Sequence, residues 1–254
     1  MATMSIGKAW QEAVAFVARE ATLLFPVALL FVALPMVFLQ EVTPPELVAW
    51  SNAPKGPMPP IPLSYWVALS LTVLISWFGS LAQLALALRP GISVAEALRL
   101  SLMRLPILVG TYLVSGVAGM LVMMVVSIPL LFVSPIFGPL VAVTTVAAFF
   151  WSRLALLNAV VIDEQLGVVA SLRRAWMLTR GHFWRLVGFM VVALVLSIVA
   201  SSAAQVVLGL LGGVIAGVDG ARLVGGIASS AVTAAVLVYM LVMLARLYRQ
   251  ATAG

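Results

Sequence analysis

The chain has 254 residues, 64% of them hydrophobic and 9% charged, with a mean hydropathy of +1.20 and a net charge of +6. Soluble domains carry about 25% charged residues, so fourteen Lys and Arg with eight Asp and Glu cannot cover a water-soluble surface of this size. This excludes a soluble enzyme, a coiled coil, a disordered chain and a nucleic-acid-binding domain, and leaves a polytopic all-α integral membrane protein.

There is no cysteine, so disulfides, thiolate metal sites, iron–sulfur clusters and lipidated cysteine anchors are excluded. Residues 1–20 carry Lys8, Glu12, Arg19 and Glu20 and read as an amphipathic helix, not a cleavable signal. A spanning helix needs about 20 mostly apolar residues, and Thr22 to Gln40 supplies the first. Glu41 to Leu63 then holds seven of the fourteen prolines and reads as an extracytoplasmic loop of polyproline II and turns, either a stiff connector or a recognition loop. Ser64 to Leu88 is the second span.

Ser93-x-x-Glu96 is a capping box and opens a second amphipathic helix. Leu105 to Ser152 has no charged residue and suits two crossings, with turn signals at Ser127-Ile-Pro129 and at Ser134-Pro135-Ile-Phe-Gly138-Pro139. A third amphipathic helix precedes the fifth span, Leu186 to Val218, whose exit frays at Gly212-Gly213. Leu223 to Ala245 is the sixth. With six crossings, twelve of the fourteen Lys and Arg collect on the side of the termini and only Lys55 and Arg222 on the other, which predicts both termini in the cytoplasm.

The layout repeats. Ser93 to Pro106 aligns with Val168 to Gly181 at an offset of 75, so that Ala95 meets Ala170, Arg99 meets Arg174, and the breakers Pro106 and Gly181 coincide. Ser5 to Glu20 is a weaker first copy. The expected architecture is a single membrane domain, 1–254, of three parallel pseudo-repeats (5–88, 91–162 and 166–246), each an amphipathic cytoplasmic helix followed by two spans.

Ionisable residues within a span point to function, and the one candidate is Arg153. It can snorkel to the interface, pair with Asp163 or Glu164, or meet a ligand. Small and hydroxyl residues recur every fourth position: Ala68, Thr72, Ser76 and Ser80; Ala193, Ser197, Ser201 and Gln205, then Gly209, Gly213 and Gly217; and Gly226, Ser230 and Ala234. Such stripes let helices approach closely in lipid. A polar path lined by Gln83, Asn158 and Gln205 is the alternative use. Arg173, Arg174, Arg180, His182 and Arg185 form a basic cluster, in which Arg173, Trp176 and Arg180 share a helix face suited to headgroups. A topology signal, an anionic lipid or phosphate-bearing ligand, and a protein partner are all compatible with that face. No HExxH, GxSxG or Walker loop occurs, and a single histidine with no acidic cluster leaves no catalytic or metal site and no cofactor to expect.

The stretch Arg153 to Arg185 contains Val-Val-Ile-Asp163-Glu-Gln-Leu-Gly167, then Ala170-Ser-Leu-Arg-Arg174-Ala-Trp176-x-Leu178-Thr-Arg180-Gly181-x-Phe-Trp184-Arg185. It resembles the membrane domain associated with glycerophosphoryl diester phosphodiesterases and the related YciC-like six-helix inner-membrane proteins of bacteria. Asn158-Ala159 stand where that family often has a proline. In fused members the chemistry resides in a separate soluble domain, so the resemblance implies a non-catalytic inner-membrane module. Its expected partners are anionic inner-leaflet lipids or another membrane protein. A permease-like subunit for a small or amphiphilic molecule and an assembly factor are the alternatives.

Overall fold

A computed structural model describes residues 5–53, 56–134 and 137–253. Pro54 and Lys55 of the proline-rich loop and Pro135 of the expected turn lie outside the described residues. Those described are helical or irregular, with no strand among them, and five helices are long and apolar enough to cross a membrane: Ile6–Val42, Leu63–Leu88, Val94–Phe132, Phe137–Asp163 and Phe183–Thr252. Their outward faces are bare hydrocarbon. Leu113, Val117, Leu121 and Val125 on one helix alone are all more than half exposed, far beyond the few hundred Å² of apolar patch a soluble monomer tolerates. This is a helical membrane protein.

The first long helix has two parts and a joint. Helix α1 (Ile6–Ala28) buries Ala9, Ala13, Phe16 and Val17 on one stripe and bends at Glu20, whose φ of −104° and ψ of 19° leave the helical well. The joint is one wide turn, Leu29–Ala33, in which the Leu34 amide reaches back five residues to the Leu29 carbonyl. Pro35 follows immediately and opens α2 (Leu34–Val42). A proline ring clashes with the carbonyl four residues earlier, here that of Phe31, and widening the turn relieves that clash.

The outer loop departs from expectation. Instead of extended backbone throughout, Pro45–Asn52 forms a short helix, α3, with Pro45 in its first turn beside Glu46. Proline at the first helical position loses no hydrogen bond and has φ already set, and an acidic residue there suits the helix dipole. Pro57, Pro59, Pro60 and Pro62 remain outside helices, the Gly56 carbonyl accepting from Trp50 Nε1 at 3.3 Å.

Helix α4 (Leu63–Leu88) is the most enclosed of the long helices and its C-terminal half is buried continuously from Gly79 to Leu88. Gly79 admits Phe31, whose Cβ lies where a glycine side chain would begin. Thr72 donates to the Pro35 carbonyl at 3.3 Å, so this member of the small stripe on α4 faces α2. After a turn at Gly91 (φ +84°), α5 (Val94–Val133) starts with the expected capping box: Glu96 N donates to Ser93 Oγ, and Ser93 N to Glu96 Oε2.

Two expected breaks are absent. Pro106 and Pro129 both lie inside the 40-residue α5, so Pro106 does not match Gly181 as a breaker. In a membrane-spanning helix a proline removes one hydrogen bond without ending the helix, because neighbouring turns and helices adjust. The chain turns at Ser134, whose Oγ accepts from the Phe137 amide, and Gly138 comes so close to the Leu130 carbonyl that no Cβ would fit. Helix α6 (Phe137–Arg153) then runs through a tight turn into α7 (Leu157–Asp163), whose Leu157, Ala159, Val160, Val161 and Ile162 are all buried. Helix α8 (Val168–Thr179) is amphipathic and ends before Gly181 (φ +86°).

The last element, α9 (Phe183–Thr252), is 70 residues long and folds back on itself at Ala216 and Gly217. The expected fraying at Gly212-Gly213 is therefore misplaced. Gly212 is buried and meets Gly220 across the fold, while Gly209 faces Ala221 and Gly225. Backbones touch because no side chain separates them. The returning limb packs along α1 and α2: Ser5 N donates to Gln250 Oε1 at 2.9 Å at one end, and Gln40 Nε2 to Ser230 Oγ and Arg222 to Glu41 at the other. The two chain ends thus share one end of the bundle.

Candidate functional site

At the end of the bundle that holds the chain ends, arginines meet helix C-termini. Arg249 Nη2 donates to the Leu88 carbonyl, the last of α4, and Arg89 Nη2 to the Ile162 carbonyl near the end of α7 at 3.4 Å. The last four carbonyls of a helix lack internal partners and carry partial negative charge, so a guanidinium both pairs and neutralises them.

The acidic pair Asp163–Glu164 sits at the same place. Tyr248 Oη lies 2.8 Å from Asp163 Oδ2 and 3.1 Å from Glu164 Oε1, and Arg174 Nε donates to Glu164 Oε1 and Oε2 at 2.9 and 3.1 Å. One cluster therefore joins α7, α8 and the C-terminal limb of α9. Arg174, grouped by sequence with the headgroup-facing cations, is turned inward and half-buried in this cluster.

Arg153 makes no ion pair with Asp163 or Glu164. Its guanidinium carbon stands over three rings, Trp176 at 5.2 Å, Phe149 at 5.5 Å and Phe183 at 5.9 Å, supplied by α8, α6 and α9. Phe149 meets Trp176 edge-on at 5.5 Å. The Arg153 Nε and Nη1 atoms are buried with no hydrogen-bond partner among the described residues. Its carbonyl accepts from Thr179 Oγ1 at 3.2 Å. The attraction of a cation to the face of a ring rises when both leave water, so Arg153 pins α8 against the bundle, as a pairing with Asp163 would have done, through aromatic rings instead.

On the outer side of α8, Arg173 and Arg180 are exposed with the partly exposed Trp176 between them, and Arg185 is exposed one turn into α9. Trp151 and Trp184, at the adjoining ends of α6 and α9, are also exposed, Trp184 at 80%. Tryptophans at one level with arginines are the pattern of a membrane–water interface.

The three amides named for a polar path do not meet. Gln83 is sealed in α4 at 1% exposure with both amide atoms unpartnered among the described residues. Gln205 is exposed on α9, its backbone against Gly225. Asn158 accepts from Tyr112 Oη at 2.8 Å at the edge of a cavity between helices. Among the described residues, no group of three or more His, Cys, Asp or Glu is placed to hold a metal.

Tyr248 and the aromatic collar of Arg153 were not singled out from sequence. Tyr248 lies 84 and 85 residues from its acidic partners, a separation that no local pattern marks. The collar had one sign: an arginine late in an apolar run, with Phe149 four residues before it.

No protein family, curated protein or solved structure matches the chain.

Proposed function

We propose that the chain is a non-catalytic, six-crossing protein of the bacterial inner membrane, with both termini cytoplasmic, that engages anionic lipid headgroups through α8 and the start of α9. The observation that carries the reading is the division of labour on α8. Arg174 is tied to Glu164, whereas Arg173 and Arg180 stay outside beside Trp176. Cations retained on the surface at the level of exposed tryptophans are placed for phosphate. Six crossings are reached on this reading by counting the two limbs of α9, which fold back at Gly217, as separate spans. The likeness of 153–185 to the membrane domain of the glycerophosphodiesterase-associated family points the same way. Asp163–Glu164 and Tyr248 then hold α8 in place, and Arg153 anchors it at the hydrocarbon boundary.

Each exposed arginine near an anionic leaflet contributes about 1 kcal/mol, so Arg173→Gln with Arg180→Gln is expected to weaken the preference of the protein for phosphatidylglycerol over phosphatidylcholine, measured by lipid exchange in mixed detergent–lipid micelles, by about 30-fold. Raised salt should narrow the difference. An equal preference for phosphatidylglycerol in the variant and the parent would overturn the reading.

Topology has its own test, made clean by the absence of native cysteine. A cysteine in place of the exposed Asp219, at the fold of α9, should react with a membrane-impermeant maleimide in intact spheroplasts. One in place of Ser5 should react only after lysis. The reverse pattern, or the same pattern at both positions, would refute six crossings with cytoplasmic ends.

A further inference from the structure

A cavity of about 790 Å³ opens between α4, α5, α6, α7 and α9, within the usual size range of small-molecule sites. Its wall is graded. Tyr112 and Asn158 stand at one end, Trp77 stacking on Tyr112 at 4.4 Å, and most of the remaining wall out to Met123 is hydrocarbon. Tyr112 and Met123 are eleven residues apart on α5, a rise of roughly 16 Å.

The polar end keeps a side-chain amide donor without a partner among the described residues. Ser80 and Ser115 also line the cavity, but their hydroxyls donate within their own helices, to the Ser76 and Tyr112 carbonyls. The Tyr112 hydroxyl occupies Asn158 Oδ1. Asn158 Nδ2 donates to no described residue and lies at the edge of a long apolar slot. The slot exists because two positions on α5 lack side chains: a Cβ on Gly116 would meet nothing within 4 Å, and one on Gly119 only the Phe150 ring at 3.9 Å.

We propose that this cavity binds one acyl chain of a membrane phospholipid, with the ester carbonyl of that chain accepting from Asn158 Nδ2. The chain runs along α5 past Gly116 and Gly119 toward Met123. An ester carbonyl suits the site because it only accepts, matching an amide NH2 group that donates to no described residue. A second groove, of about 660 Å³ between Trp10, Phe189, Val192 and Leu196, has almost no polar lining and serves as the internal control. This site is separate from the α8 face and does not depend on the headgroup reading.

The experiment uses the full chain in phosphatidylethanolamine–phosphatidylglycerol vesicles, with a phosphatidylglycerol carrying a diazirine midway along one acyl chain. After illumination, adducts are mapped by peptide mass spectrometry. Adducts on Met123 and Phe150 are expected, and unlabelled phosphatidylglycerol should compete them away. Gly116→Leu, which fills the slot, and Asn158→Leu, which removes the donor, should each lower them by about tenfold. Adducts on Phe189 and Val192 should persist in both variants. Arg173→Gln with Arg180→Gln should leave the Met123 and Phe150 adducts unchanged, so failure of the headgroup reading and failure of this one are distinguishable. Cavity adducts that do not saturate in the parent protein would overturn the proposal, even if neither variant folds. So would competition by free palmitate but not by phosphatidylglycerol, or insensitivity to Gly116→Leu.

Discussion

Gly220→Ala is expected to open the fold in α9 and to cost about 3 kcal/mol or more. A Cβ on Gly220 would collide with the Gly212 carbonyl and lie 2.6 Å from Ala216 Cβ, and neither neighbour is the flexible tip of a side chain. Gly212→Ala should behave alike, since its Cβ would strike the Gly220 carbonyl and stand 2.8 Å from Val224 Cβ. The backbones must separate along the whole limb to make room. Gly217→Ala is expected to cost less, about 1–3 kcal/mol. It has open space around it, but its φ of +64° with ψ of −150° is a conformation that only glycine adopts readily. Gly188→Ala is the control, because a Cβ there meets nothing within 4 Å. It should be neutral or stabilising by up to about 1 kcal/mol through helix propensity. Thermal unfolding in detergent, followed by tryptophan fluorescence, ranks the four variants. A Gly220→Ala protein as stable as the Gly188→Ala protein would refute close packing between the two limbs.

Tyr248→Phe is the second large effect. The residue is 2% exposed, and its hydroxyl serves two carboxylates at once. Phenylalanine keeps the ring packed and removes only the donor, leaving the Asp163 carboxylate without a hydrogen-bond donor among the described residues. Hydrogen bonds to charged groups contribute about 1.5–3 kcal/mol, so a loss of about 2 kcal/mol is expected. Arg174→Gln removes the other donor to Glu164. Because both changes act on one carboxylate, the double variant should differ from the sum of the single ones by more than about 0.5 kcal/mol. Strict additivity in a double-mutant cycle would mean that Tyr248 and Arg174 do not share Glu164.

Much of the helical layout can be read along the chain because lipid imposes it. A stretch with no charge and the length of a bilayer has few alternatives to a helix, and the Ser93–Glu96 cap is a local pattern complete in four residues. The errors are of another kind. Pro106 and Pro129 are breakers in water, yet α5 passes through both. Gly212-Gly213 looks like a place where a helix ends, whereas Gly212 is where one limb touches the other. A glycine that permits a turn and a glycine that permits a close approach are the same letter, and only the partner distinguishes them. Nothing along the chain marks helix α7, a short apolar run with no side-chain cap; its burial depends on α4, α5 and α8 closing around it. The acidic pair was located, but its partners lie on other helices, and the choice of Arg174 over Arg153 follows from which way α8 faces.

The wide turn at Leu29–Ala33 has a consequence for how the first helix can vary. A turn closed by a hydrogen bond over five residues holds one residue more than its neighbours, so everything beyond it is rotated by about 100° relative to an unbroken α-helix. Phe31, inside that turn, enters the gap left by Gly79, while Ala9, Ala13 and Phe16 keep their own stripe against the bundle. Point substitutions leave this phase offset intact. Deleting a single residue between Leu29 and Ala33 would cancel it and swing the upstream stripe out of register, which makes the length of this segment, more than its spelling, the quantity that homologous chains should preserve.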